Sequence, residues 1–389
     1  MTMIKSIKVM LIPNNKQKTK MFQYGGASRF AYNWALARQQ ENYNNGGKFI
    51  QDGELRKEFT QLKKKEEYSW LNSISNNVTK QAIKDACDSY KRFFKGQSKF
   101  PKFKSRKKSK PSFYQDNCKI KFTNTHVKLE GFTSSKKQNK QKLNWVRLAE
   151  KNRIPVDCKY SNPRITFDGI NWWVSVGVEY ENNLALPIND GIGIDLGIKD
   201  LAICSDGNTY KNINKTKKVK KLEKKRRRLQ RQISRKYLMN KEGRSYKKTC
   251  NIIKSEKQLL KLNHKLTNIR HNYLHQTTTE IINRKPMFIV LEDLSVMGMM
   301  KNKNLAKAIQ QQCFYEFYRQ IQYKCLWNNI EFIEADRWYP SSKTCSECGS
   351  IKKQLKLSDR EYVCEECGCV IDRDYNASIN LMKYGQSIA

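Results

Sequence analysis

Along residues 3–12 polar and apolar positions alternate, with Ile7, Val9 and Leu11 on one face and Lys8 and Met10 opposite, which predicts a strand ended by Pro13. From about Lys16 to Tyr43 the pattern turns helical, with Phe22, Phe30, Tyr32, Trp34 and Leu36 as the expected core and Asn44-Asn45-Gly46-Gly47 as the stop. A second helix is expected from about Asn77 to Phe94. Val78, Ala82, Ala86, Tyr90 and Phe94 recur there every four residues, while Lys80, Gln81 and Lys84 lie off that face. Alternation returns over 118–182, in Ile120-Lys-Phe122, Val127-Lys-Leu129 and the run from Trp172 to Val178. This predicts a small barrel or sandwich, which the N-terminal strand could complete with the helices as an insertion.

After Gly191 the strands read as buried rather than half-buried. Gly191-Ile-Gly-Ile-Asp195 ends in a carboxylate, and Leu201–Cys204 and Thr209-Tyr210 follow as hairpin partners. Phe288-Ile-Val-Leu291 runs into Glu292 in the same way. Between these strands, residues 211–250 hold eighteen Lys or Arg against two acids, Glu223 and Glu242. Leu222, Leu229 and Ile233 share one face, so a long basic helix is expected, with a second from about Ser245 to Ile282. Joined near Glu242-Gly243, the two make an antiparallel hairpin suited to a phosphate backbone.

Composition sharpens this picture. The 389 residues suffice for two or three domains, and 76 basic against 36 acidic residues leave a net charge of +40. A polyanion is the expected partner, and nucleic acid is favoured over an anionic membrane surface. No apolar run approaches the ~18–20 residues that span a bilayer. The opening Met-Thr-Met-Ile-Lys-Ser-Ile-Lys alternates like a strand rather than a secretory leader, so a cytoplasmic location is expected. Residues 95–113 interleave Lys102, Lys104 and other cations with Phe100, Phe103 and Phe113, a mixture suited to base stacking as well as phosphate contact.

Two clusters carry the candidate chemistry. Of twelve cysteines, seven are scattered and five crowd into residues 345–369. Cys345-Ser-Glu-Cys348-Gly349 and Cys364-Glu-Glu-Cys367-Gly368 are knuckles separated by fifteen residues, and four closed thiolates imply a structural Zn²⁺. Cys369 falls outside that register. The second cluster is acidic. A lone acid after a strand commonly starts a turn, but Asp195 and Glu292 both end apolar strands, where open α/β sheets place their sites. A third acid comes from Asp372-Arg-Asp374-Tyr-Asn-Ala-Ser-Ile-Asn-Leu381, which reads as a helix with Asp372 as N-cap. Asp374, Ala377, Ser378 and Leu381 share one face, so Asp374 points inward and needs a cation. Three converging carboxylates can hold two Mg²⁺ about 4 Å apart.

These residues resemble a known family. Gly-Ile-Asp195-Leu-Gly, Val-Leu-Glu292-Asp-Leu, Arg337-Trp-Tyr-Pro-Ser-Ser-Lys-Thr-Cys345-Ser-Glu-Cys-Gly and Asp374-Tyr-Asn-Ala-Ser are similar to the TnpB (OrfB-type) proteins of insertion sequences, themselves similar to type V CRISPR effectors. Softer matches are Ile12-Pro13, Arg29-Phe-Ala-Tyr-Asn33-Trp-Ala and Phe100-Pro-Lys-Phe-Lys104. The resemblance implies an α+β multidomain protein that binds a guide RNA, reads a motif beside its double-stranded DNA target and cuts both strands at one RuvC site. It takes no small-molecule substrate and no membrane. Asp195, Glu292 and Asp374 would be the catalytic, Mg²⁺-binding triad and Cys345, Cys348, Cys364 and Cys367 the zinc ligands. The implied domains are a β-barrel-like wedge (1–12 and 115–185), a helical recognition domain with basic linker (13–114), an RNase H-like (RuvC) α/β core (188–341 and 371–389) carrying the basic hairpin 213–283, and an inserted zinc ribbon (342–370). Candidate nucleic-acid contacts are Lys80, Gln81, Lys84, Lys102, Lys104, Arg226, Arg227 and Arg228. A transposase, a CRISPR-associated effector and a non-catalytic RNA-guided regulator are the rival readings. The intact triad disfavours the last.

Overall fold

The alternating segment at the N-terminus forms β1 (Thr2–Ile12), an 11-residue strand that takes the central place in an antiparallel sheet. The computed structural model describes residues 2–132, 143–156, 158–181, 187–356 and 359–388; the expected wedge boundary at residue 185 lies outside them. The chain divides into two units, 1–181 and 182–389.

In the first unit β1 is followed by helices α1 (Asn15–Asn44), α2 (Asp52–Leu62) and α3 (Asn76–Phe94). Strands β2 (Ser112–Tyr114), β3 (Lys121–Phe122), β4 (His126–Lys128), β5 (Trp145–Leu148), β6 (Tyr160–Phe167) and β7 (Trp172–Glu181) then complete a seven-stranded sheet. Its order is β2-β6-β7-β1-β5-β4-β3, so the first strand of the chain pairs with the last of the unit, from Thr2↔Glu181 to Leu11↔Trp172. Among the described residues nothing pairs end strand β2 with β3.

α1 opens with a capping box, Gln17 N–H donating to Asn14 Oδ1 (2.9 Å) and Asn14 N–H to Gln17 Oε1 (3.0 Å). Its core face keeps Tyr32 and Leu36, buried as expected, with Phe30 and Trp34 packed against the core, and corrects the expectation for Phe22. Met21, Tyr24, Ala27, Ala31, Ala35 and Leu36 are buried, whereas Phe22 is 45% exposed. α1 and α3 lie against each other, and their alanines, with Ala82 and Ala86 of α3 also buried, allow that close approach. Phe22 and Trp34 lie to the flanks, Phe22 meeting Phe167 and Trp172 edge-on and Trp34 meeting Phe59. Phe94 is exposed and stacks on Tyr90, while Phe113 is no solvent-facing ring but part of the core, against Tyr24 and Trp172.

The second unit starts with β8 (Ile192–Leu196), β9 (Asp200–Cys204) and β10 (Thr209–Lys211). The basic hairpin is α4 (Lys217–Met239) and α5 (Cys250–Asn283), joined through a short ribbon, β11 (Lys241–Glu242) and β12 (Ser245–Tyr246), with Gly243 at φ +58 between them. β13 (Phe288–Glu292), α6 (Val296–Met299), α7 (Ala306–Gln312), α8 (Phe314–Asn328) and β14 (Glu331–Ala335) follow. The chain ends with β15 (Glu361–Val363), β16 (Val370–Asp372) and α9 (Arg373–Gln386). The main sheet runs β10-β9-β8-β13-β14, with β8, β13 and β14 parallel. Helices cover both faces. Ile289 and Leu291 pack with Leu274, Ile281, Phe317 and Ile321 of α5 and α8, while Phe288 and Val290 pack with Leu381 of α9. The hydrophobic pattern singles out neither α8 nor β14, because β14 is an edge strand whose Glu331 and Glu334 face water. No described helix is long and apolar enough to cross a membrane.

Candidate active site and cysteine cluster

The parallel register Ile192↔Ile289, Gly193↔Val290 and Ile194↔Leu291 makes Asp195 and Glu292 the next residues at the same end of neighbouring strands. α9 lies on β8 because position 193 is glycine: a Cβ there would sit 2.1 Å from the Ser378 carbonyl oxygen and 2.3 Å from the Met382 nitrogen. Ala377, Ser378 and Leu381 are buried beneath the helix, and Asp374 lies one turn nearer its N-terminus. Asp372 is occupied as the cap, its Oδ1 accepting from the N–H groups of Asp374 (3.0 Å) and Tyr375 (3.1 Å).

The three acids feel one another. Burial, and then the carboxylates of Glu292 and Asp374, push Asp195 well above the usual carboxylate range, and Arg373 only partly offsets this. Arg373 donates to Asp374 Oδ1 from Nη2 (3.2 Å) and Nε (3.3 Å), and Arg360 stands 4.0 Å from Oδ2. Glu292 accepts a hydrogen bond from the Ser341 hydroxyl, whereas neighbouring Asp293 pairs with Arg337. The carboxyl of Asp195, buried and facing two further carboxylates, is a place where a cation would relieve the unfavourable charge. Sequence reasoning missed Ser341, Arg360 and Arg373. Only their place in the motifs at 337–348 and 372–381 marked Ser341 and Arg373, and no motif marked Arg360.

The sulfur cluster is closed. The Sγ atoms of Cys345, Cys348, Cys364 and Cys367 all lie within 4.8 Å of one another, with Cys345–Cys367 and Cys348–Cys364 at 3.6 Å. Tetrahedral Zn–S bonds of ~2.3 Å require S···S edges of ~3.8 Å, so the donor set fits one Zn²⁺. Gly349 (φ +77) and Gly368 (φ +72) turn the two knuckles in a backbone region other residues avoid. The Ser350 hydroxyl lies 3.3 Å from Cys348 Sγ and 3.2 Å from Cys364 Sγ, and its hydrogen bonding holds the Cys364 thiol down to about 6. Cys369 packs beside this cluster without joining it.

The candidate nucleic-acid contacts fall in two places. In the first unit Lys80 and Lys84 are exposed on α3. The Gln81 amide donates to Asp85 (2.9 Å), which also receives both guanidinium nitrogens of Arg164 (2.5 and 2.9 Å). Gln81, Lys84, Lys104, Tyr114 and Arg164 line one cleft of about 690 Å³, with the Lys104 ammonium 3.5 Å above the Tyr32 ring. Lys102 is exposed on the loop. In the second unit Arg227 and Arg228 are exposed, but Arg226 pairs with Glu223 (2.8 Å), which also holds Arg270 (2.8 Å). Between α4 and α5 runs a groove of about 1020 Å³ lined by Lys225, Arg228, Arg235, Lys236, Lys261 and Lys265. The charge run did not single out five of these, since it could not say which cations share a side.

Against known proteins, residues 175–303 match a family model described as "Probable transposase" (OrfB, IS605), residues 314–381 a Cas12f1-like TNB domain and residues 1–48 a helix-turn-helix domain of the OrfB family. The chain is 30% identical over 404 residues to "Putative RNA-guided DNA endonuclease InsQ" of Escherichia coli (strain K12), covering 100% of this chain and 94% of that one. It is 29% identical to "Putative RNA-guided DNA endonuclease" of Streptomyces pristinaespiralis, covering 98% and 89%. In fold it is similar to the Cas12f1 chain of a complex with sgRNA and target DNA, with a TM-score of 0.62 at 14% identity over 98% of this chain and 99% of that one. A likeness running the full length of the chain makes the protein a member of the TnpB (OrfB, IS605) family of RNA-guided DNA endonucleases.

Proposed function

We propose that this protein is a guide-RNA-directed endonuclease that cuts double-stranded DNA at one RuvC-type site formed by Asp195, Glu292 and Asp374. The observation that carries the reading is the convergence of three carboxylates, two on adjacent parallel strands and one on the helix seated at Gly193. Bound divalent ions would activate water and stabilise the leaving oxygen of the scissile phosphate. The three acids would hold them, Asp195 deepest and Glu292 and Asp374 flanking it. Arg360 and Arg373 face Asp374, where their charge would favour a phosphate and moderate repulsion among the acids.

The remaining surfaces take supporting roles in this reading. Cys345, Cys348, Cys364 and Cys367 hold one structural Zn²⁺. The groove along α4 and α5 lies on RNA or DNA phosphates. The cleft around Lys84 and Lys104 in the first unit contacts the target, and the seven-stranded sheet acts as the wedge. Cleavage of a guide-matched duplex in Mg²⁺ tests the proposal. Protein loaded with its guide should cut, and RNA-free protein should not. Cutting by RNA-free protein, or by variants lacking all three acids, would refute it.

A further inference from the structure

Ser341 touches the supports of two of the three acids. It is 4% exposed, and its hydroxyl donates to Glu292 Oε1 at the end of β13. Its carbonyl accepts from the side-chain amide of Asn380 at 2.7 Å, and Asn380 lies on α9, the helix that carries Asp374. The same amide reaches the Thr344 carbonyl at 2.6 Å. One turn earlier Asn376, 0% exposed, donates to Thr344 O (2.7 Å) and accepts from Ser346 N–H (2.9 Å). Between them, residues 339–344 are held by their own turns, Ser341 N–H to Tyr339 O (2.8 Å) and Thr344 N–H to Pro340 O (3.0 Å). Two buried amides on α9 therefore grip this short strap, and the strap grips Glu292.

We infer that Ser341 is a positioning residue that fixes the Glu292 carboxylate relative to Asp374 for metal binding; this rests on the nuclease reading above. A glutamate at a strand end has a broad terminal torsion. Tying down Oε1 leaves Oε2 as the oriented ligand, as partners of metal-binding carboxylates do elsewhere. The choice of a hydroxyl matters. A neutral donor supports the ionised carboxylate without bringing a positive charge that would oppose the metal, and the nearby cation Arg337 is directed to Asp293 instead.

The test compares Ser341→Ala, Ser341→Thr and Glu292→Gln with wild type in the full-length chain. Mn²⁺ affinity is read by electron paramagnetic resonance on RNA-free protein, with Glu292→Gln as the reference for a lost ligand. The Mg²⁺ concentration for half-maximal cutting is read on guide-loaded protein, and zinc content and guide affinity on the same preparations. Ser341→Ala should keep zinc and guide binding, bind Mn²⁺ roughly 10–100-fold more weakly, and recover cutting at high Mg²⁺. Ser341→Thr, which retains the hydroxyl, should stay close to wild type. Wild-type Mn²⁺ affinity and Mg²⁺ midpoint in Ser341→Ala would overturn the inference. So would a Ser341→Thr that falls with the alanine form, since the loss would then be one of packing. If Glu292→Gln also binds Mn²⁺ and cuts like wild type, the nuclease reading itself fails, which is a distinct outcome.

Discussion

The two donor clusters of the second unit are assembled in opposite ways. The four thiols come from two tight turns within residues 345–367, beside a two-stranded ribbon of 361–363 and 370–372, all close in the sequence. The three acids come from β8, β13 and α9, and only a folded sheet with a helix on it brings them together. The sulfur set is suited to closing on one ion. The acids instead lie where burial first, and then the neighbouring carboxylates, push Asp195 up. The thiols would stabilise the fold once they held an ion, whereas an ionised Asp195 burdens the metal-free fold.

The largest effects should come from the acids. Asp195→Ala, Glu292→Ala or Asp374→Ala should each lower cutting by at least ~10²–10³-fold, the scale of losing one organised charge contact in an active site. A double variant should be little worse, because each acid is needed to assemble the same ions. Guide and target binding should survive. A kinetic assay beside a binding assay decides it, and three variants that all cut would erase the contrast. Binding has its own signature: neutralising about six phosphates gives a log–log salt slope near roughly −5. An affinity that is flat in salt would contradict contact through the basic groove.

The sulfur cluster should show the reverse balance. Cys345→Ser should lose the zinc of the whole chain and loosen residues 341–370, seen as faster hydrogen exchange, whereas Cys369→Ser should change little. Elemental analysis finding no zinc in pure wild-type protein would break the comparison.

A smaller effect follows from Asp195. Its folded pKa lies above the unfolded value of ~3.9, so the ionised form burdens the metal-free fold. The burden is absent at low pH, where the carboxyl is protonated in both states, grows as pH rises from the unfolded value towards the folded pKa, and is constant above it. Asp195→Asn should therefore raise the Tm of metal-free protein at neutral pH and leave it unchanged in acid. A lower Tm at neutral pH would show that the acids stabilise the fold. The smallest change is at the cap. Asp372→Ala should cost about 1 kcal/mol while cutting persists. If Asp372→Ala stops cutting and Asp374→Ala does not, the helix face has been read the wrong way round.

Much of this was open to the sequence because it depends on short-range chemistry. The knuckle spacing, the apolar strands ending at Asp195 and Glu292, the Asp372 cap and the hairpin turn at Gly243 are each set within a few residues. The tertiary structure decided everything that needed a neighbour from far along the chain. Phe22 looks like a core residue by period but yields to alanines where α1 meets α3, and Phe113 sits in a basic stretch yet is buried by the sheet. Arg226 reads as a phosphate contact, and only the fold shows that Glu223 pairs with it. Ser341 lies in the 337–348 motif, but its role could not be read there, since its partners Glu292 and Asn380 are 49 and 39 residues away. Periodicity tells a side chain which way to face, but only the packed fold determines what it meets there.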